Sequence, residues 1–143
     1  MIVPSVVDDD SSLPRYALPG DAGADLRCRE HVILRPGERR LVPTGVRAAI
    51  PDGHVGFVNP RSGLAIRTGL SIVNAPGTID SGYRGEIKVA LVNRDQHEPI
   101  ELQVGDRVAQ LVIVPFVHAQ FVRVDELDDT ERGQGGYGST GRS

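Results

Sequence analysis

Glu86-Ile87-Lys88-Val89-Ala90-Leu91-Val92-Asn93 carries apolar side chains at 87, 89 and 91, with Lys88 between the first two. Side chains of an extended chain alternate between two faces, so this period of two predicts a strand with one face buried. The same reading extends along the chain in both directions. Downstream, Arg107-Val108-Ala109-Gln110-Leu111-Val112-Ile113-Val114-Pro115-Phe116 is a longer apolar run, expected to be a strand buried on both faces. Upstream, His54-Val55-Gly56-Phe57-Val58 and His31-Val32-Ile33-Leu34 are strand-like, the latter ending at the turn Arg35-Pro36-Gly37-Glu38. Arg40 to Ile50 reads as a strand interrupted by Pro43 and Gly45, followed by the turn signal Pro51-Asp52-Gly53. The only helical piece expected is short, around Ser62 to Arg67. The fold class is therefore all-β, a sandwich or jelly-roll-like barrel with one short helix.

Composition agrees and sets limits. A chain of 143 residues fits one domain. Hydrophobic residues make up 39% but aromatics only 4%, so the core must rest on Val, Leu, Ile and Ala. Seventeen Gly and 10 Pro favour short strands and turns over long helices. Lys and Arg number 16 against 19 Asp and Glu, a formal charge of −3. That balance suits nucleic acid poorly, because the phosphate backbone demands a basic surface. The lone Cys28 rules out an internal disulfide and a multi-cysteine zinc site. No apolar run approaches the roughly 20 residues of a membrane span. Met1-Ile2-Val3-Pro4 lacks the basic and apolar regions of a secretory signal, so a soluble cytoplasmic protein is expected.

Four segments join small residues to side chains suited to an anion. In Pro60-Arg61-Ser62-Gly63-Leu64-Ala65, a guanidinium and a hydroxyl precede the short helix. The bland alternative is a helix cap by Ser62 with Arg61 in solvent. Ala75-Pro76-Gly77-Thr78-Ile79-Asp80-Ser81-Gly82-Tyr83-Arg84-Gly85-Glu86 presents a carboxylate and an aromatic ring from a glycine-rich turn. Its residues alone leave a ligand-binding turn and an ordinary β-hairpin equally open. Gly105-Asp106-Arg107 leads to Gln110, an amide inside an apolar strand that must find partners. The segment from Arg132 to Gly141 is half glycine and is expected to be flexible in solution, so composition favours a linker. Asp8-Asp9-Asp10 reads as a solvated loop, since adjacent side chains of an extended chain diverge and do not converge on one ion. The histidines at 31, 54, 97 and 118 are scattered, and no Gly-rich loop ends in Gly-Lys-Ser/Thr, which excludes a P-loop.

Taken in order, five motifs resemble those of the homotrimeric dUTPase (deoxyuridine 5′-triphosphate nucleotidohydrolase) family. They are Asp21-Ala22-Gly23-Ala24-Asp25-Leu26, the Pro60–Ala65 segment, Gly77–Glu86, Gly105–Leu111 and the tail from Arg132 to Gly141. Each alone is weak, whereas five in order over nearly the whole chain are specific. One departure is Tyr137, where the family most often has Phe.

The resemblance implies a jelly-roll-like subunit spanning residues 1–131, a flexible arm over 132–143, and a homotrimer with active sites between subunits. It implies hydrolysis of dUTP to dUMP and pyrophosphate, which limits uracil in DNA and supplies dUMP for thymidylate synthesis. Asp80 would orient and deprotonate the water that attacks the α-phosphorus. A carboxylate is already ionised at neutral pH and needs no activation for that role. Tyr83 would pack under the deoxyribose and refuse a 2′-hydroxyl. Asn74 and the backbone of Gly77, Thr78 and Ile79 would read the uracil edge, with Lys88 near the nucleotide. Arg61, Ser62, Gly63 and Gln110 would hold phosphates. From the arm, Tyr137 would stack on uracil while Arg132, Ser139 and Thr140 reach the γ-phosphate. Asp25 matches an acid that is structural rather than catalytic. Mg²⁺ is the implied cofactor, held through phosphates and water and by no direct protein ligand.

Two rivals differ in recognisable ways. A dCTP deaminase of similar fold would carry a catalytic Glu soon after the Ser-containing motif, where this chain has Gly63-Leu64-Ala65-Ile66-Arg67. A non-catalytic module of the same fold would be expected to lack the Asp or the tail, and both are present.

Overall fold

Gly, Pro and Asp punctuate the chain so often that few strands exceed six residues, and the computed structural model is built from many short ones. It describes residues 1–131, 133 and 134. Among these, the strands are β1 (Ser5–Val7), β2 (Ala24–Arg27), β3 (Val32–Leu34), β4 (Arg39–Pro43), β5 (Val46–Ala48) and β6 (His54–Asn59). After the helix α1 (Ser62–Thr68) come β7 (Leu70–Ile72), β8 (Gly77–Ile79), β9 (Lys88–Asn93), β10 (Ile100–Leu102) and β11 (Arg107–Pro115). The all-β expectation and the single short helix are both borne out.

The strands form antiparallel sheets in the orders β2-β11-β6-β8 and β4-β9-β7, with the pairs β1-β5 and β10-β3 beside them. The alternation around β9 places Ile87, Val89 and Leu91 in the core, each no more than 1% exposed. Burial of each such side chain stabilises the fold by about 2 kcal/mol. These three join Leu26, Leu34, Val42, Val46, Leu70 and Val108 in one apolar cluster. At the end of β9, Asn93 is wholly buried. Its amide donates to the carbonyls of Leu34 (2.9 Å) and Glu98 (2.8 Å) and accepts from the Asp95 N–H (2.8 Å), so no polar atom is orphaned.

The long strand β11 departs from the expectation of burial on both faces. Val108, Ala109 and Leu111 are buried, but Val112 to Val114 are only half-buried and Pro115 is exposed. Strand β2 pairs with β11 only as far as Leu111, and beyond it only β6 remains as partner. After β11, Phe116 to Glu131 has no regular secondary structure and leaves Val117, Phe121, Val122 and Leu127 more than two-thirds exposed.

The acidic loop is more ordered than a solvated break. Asp9 caps a 3-10 turn over Asp10–Ser12 by accepting the Ser11 N–H (2.8 Å), and it ion-pairs with Arg29 (2.6 Å). Hydrogen bonds from Ser11, with Arg29 beside it, hold the Asp9 carboxyl below its usual range. No described helix is long and apolar enough to cross a membrane.

Candidate active site

The Asp80 segment does not close a hairpin. Strand β8, which leads into it, pairs with β6, whereas β9, which follows it, pairs with β4 and β7. The turn therefore crosses from one sheet to another. The Tyr83 N–H donates to the Asp80 carbonyl (3.1 Å), which leaves the Asp80 side chain exposed at the end of β8. Tyr83 folds back so that its hydroxyl donates to the Glu86 carbonyl (3.0 Å), with its ring against Gly85.

Behind the turn, several bonds fix the base of the site. The Glu86 carboxylate accepts the Gly45 N–H (2.9 Å), and the Ile87 N–H donates to the Val46 carbonyl (2.7 Å). The buried Thr44 hydroxyl donates to the Ile87 carbonyl. The break at Pro43 to Gly45 in the β4–β5 segment is thus what anchors Glu86 and, through it, the start of β9. Lys88 Nζ stands 3.7 Å from the second Glu86 oxygen.

A cleft of about 610 Å³ opens here, lined by Asn74, Gly77, Thr78, Ile79, Asp80, Tyr83 and Lys88 among others. Strand β8 is paired on one side only, so the backbone groups along its other side are available to a flat, hydrogen-bonding ligand. Asn74 Nδ2 is turned toward Gly77, 3.6 Å from where a Cβ on that glycine would stand. The residues expected at the base, the sugar and the attacking water thus line one cleft.

The expected phosphate residues lie elsewhere. Arg61, Ser62, Gly63 and Gln110 line a second cleft of about 440 Å³, together with Gly23, Asp25, Arg67 and Arg107. No described residue lines both clefts. In the four-stranded sheet, β2 and β11 supply Asp25 and Gln110 near one edge, while β8 forms the other edge. The expected site residues of this chain thus lie in two separate clefts, and no short stretch of sequence shows which of them share one.

The second cleft is organised around Asp25. Its carboxylate meets Arg61 Nε at 2.9 Å and Arg107 Nη1 at 3.0 Å, with the acid side chain only 13% exposed. Arg61 also donates to the Arg107 carbonyl (3.3 Å). Two guanidiniums against one carboxylate leave net positive charge facing the cleft, and Asp25 fixes their positions. Gln110 finds the partner its place demanded by donating to the Pro60 carbonyl (3.1 Å). Gly23 is tight against that amide, and a Cβ there would come within 2.8 Å of Gln110 Cδ. Ser62 is not the helix cap. Arg61 occupies the N-cap with no side-chain cap bond, and Ser62 is an exposed first helical residue whose hydroxyl stays available at the cleft.

A family model described as dUTPase matches residues 9–141. The chain belongs to the dUTPase family. It is 68% identical over 143 residues to the deoxyuridine 5′-triphosphate nucleotidohydrolase of Cutibacterium acnes, spanning 100% of this chain and 93% of that protein. The corresponding protein of Thermobifida fusca is 62% identical over 135 residues, spanning 94% and 75%. Among solved structures, a mutant dUTPase of Staphylococcus bacteriophage 80alpha with dUpNHpp has a TM-score of 0.89 at 29% identity, over 99% of both chains. A mutant dUTPase of phage phi11 of S. aureus, described with a coordinated structural Mg(II) ion, has a TM-score of 0.82 at 27% identity, over 90% of this chain and 100% of that one.

Arg132, Tyr137, Ser139 and Thr140 lie outside the described residues. Three of the cleft arginines escaped the sequence reading. Arg107 stood within a quoted motif, but its pairing with Asp25 bridges 82 positions of sequence. Arg47, on β5, lines the larger cleft and carries no local signal. Arg67 stands four residues after Gly63, the spacing that puts two residues on one helix face, and that signal was readable.

Proposed function

We propose that this member of the dUTPase family hydrolyses dUTP to dUMP and pyrophosphate, at sites each assembled from the two clefts of neighbouring copies in a homotrimer. The observation that carries the reading is the division of labour between the clefts. One offers a free strand edge, an aromatic ring and a carboxylate, and the other offers arginines, a hydroxyl and an amide. A nucleoside fits the first and a polyphosphate the second. Since the two lie toward opposite edges of one sheet, a second copy is needed to bring them around one nucleotide. The exposed apolar side chains of Val117, Phe121, Val122 and Leu127 support assembly, because a lone subunit would leave them in water.

In this reading Asp80 takes a proton from the water that attacks the α-phosphorus, and the electrons of the broken bond leave with pyrophosphate. Uracil pairs with the backbone of Gly77 to Ile79 and with Asn74. Tyr83 lies under the deoxyribose and excludes a 2′-hydroxyl, and Lys88 stands near the nucleotide. Steric exclusion is needed at the base as well, because an apolar pocket discriminates one methyl group by only about 1–3 kcal/mol. Arg61, Ser62, Gly63 and Gln110 hold the phosphates. The arm, residues 132–143, covers the bound nucleotide, with Tyr137 on uracil and Arg132, Ser139 and Thr140 at the γ-phosphate. The reaction keeps uracil out of DNA and yields dUMP for thymidylate synthesis.

Mg²⁺ is the proposed cofactor. Among the described residues no three His, Cys, Asp or Glu cluster to hold a metal, and Asp25 is committed to Arg61 and Arg107. This donor set fits a hard cation held by phosphate oxygens and water. When bound, it would neutralise charge on the phosphates. Pyrophosphate release from dUTP, dTTP, dCTP and UTP with Mg²⁺, run beside sedimentation of the protein, tests the reading. Strong preference for dUTP from a trimer is expected. Ammonia release from dCTP, or no turnover of dUTP, would overturn it.

A further inference from the structure

We propose that Arg67 binds the outer phosphates of the nucleotide and so makes the site distinguish dUTP and pyrophosphate from dUMP. The proposal rests on the reading of the second cleft as the polyphosphate site. Arg67 lines that cleft with Arg61, Ser62, Gly63 and Gln110. Helical side chains lean toward the N-terminus, so a residue four positions on lies over its predecessor. Here Arg67 Nη1 hangs beside Gly63, 3.3 Å from the position a Cβ would take.

The ordinary use of an arginine in a last helical turn is to face the terminal carbonyls. In α1 two carbonyls of the C-terminal half are served by others. The Thr68 hydroxyl donates to the Leu64 carbonyl (2.8 Å), and the Gly69 N–H donates to the Ala65 carbonyl (2.9 Å). The Arg67 guanidinium instead reaches back along the helix to the cleft. It also differs from its two neighbours in charge pairing. Arg61 and Arg107 share Asp25, whereas Arg67 forms no ion pair among the described residues.

These facts assign the arginines different tasks. The Asp25-bound pair is held in place with much of its charge already balanced. Arg67 is exposed at the rim and keeps its full charge for a ligand. A guanidinium is suited to forked hydrogen bonding with phosphate oxygens. A monophosphate held by the inner arginines would not reach it, whereas a triphosphate extending out of the cleft would.

The test compares wild type with Arg67→Gln and Arg67→Lys. Affinities for dUpNHpp and dUMP are measured by calorimetry with Mg²⁺, alongside inhibition of dUTP turnover by pyrophosphate. Arg67→Gln should weaken dUpNHpp about ten-fold or more, the effect of one lost hydrogen bond to a charged group. It should weaken pyrophosphate similarly and leave dUMP unchanged. Arg67→Lys should recover part of the loss by retaining the charge. Unchanged dUpNHpp affinity would overturn the proposal. So would equal loss of dUpNHpp and dUMP, the mark of a merely structural residue. If wild type itself fails to turn over dUTP, the functional reading fails rather than the assignment of Arg67.

Discussion

Tyr83 rests on Gly85. The tyrosine hydroxyl bonds to the next carbonyl, that of Glu86, and a Cβ on Gly85 would come within 2.6 Å of the ring carbon Cζ. Gly85 has no positive φ, so alanine is tolerable to the backbone, and the clash falls on the end of a movable side chain. Gly85→Ala should therefore keep the fold and displace the ring. The expected result is an unchanged melting temperature to within a few degrees, with a lower kcat/KM for dUTP and a smaller preference for dUTP over UTP. Steady-state kinetics on both nucleotides checks it, and intact discrimination would remove Tyr83 from the sugar site.

Gly23 and Gln110 stand in the same relation in the second cleft, where a Cβ would press on the Gln110 amide. Gly23→Ala should push that amide away from Pro60 and disturb phosphate binding without touching the nucleoside cleft. A raised KM for dUTP with little change in kcat is expected. A loss confined to kcat would argue against Gln110 as a phosphate contact.

Asp80 lies exposed at the end of β8 and has no hydrogen-bonded role in holding the turn through its side chain among the described residues. Asp80→Asn should preserve folding and dUpNHpp binding while lowering turnover about 10²-fold or more, the low end for a positioned general base. Near-normal turnover would take the proton-accepting role away from this residue.

Deleting residues 132–143 should leave the β-sheet core intact, because among the described residues every buried core side chain lies before Arg132. Activity should fall sharply, with the far-ultraviolet circular dichroism unchanged. A truncated protein that hydrolyses dUTP at the full rate would exclude the arm from the active site.

Where structure is local, the sequence was a good guide. Alternation at Ile87, Val89 and Leu91 announced β9, and Pro43 and Gly45 marked the break between β4 and β5. The short helix after Pro60 was legible, and Gln110 declared itself by being polar in an apolar strand. Half-burial along the end of β11 was not legible, because it depends on where β2 stops pairing. The partnership of β8 with β6 was equally hidden, since nothing within Gly77–Ile79 names its neighbour.

The sequence by itself determined the class of fold, the turns, and the side chains available for chemistry, because alternation, glycine and proline act over a few residues. Only the tertiary structure decided that the residues proposed for the nucleoside and for the phosphates occupy separate clefts, that Asp25 clamps Arg61 to Arg107, and that Arg67 lines the second cleft. Those relations join residues far apart in the chain. They are fixed by how the sheets pack around one core and by which charges that packing brings within reach of one partner.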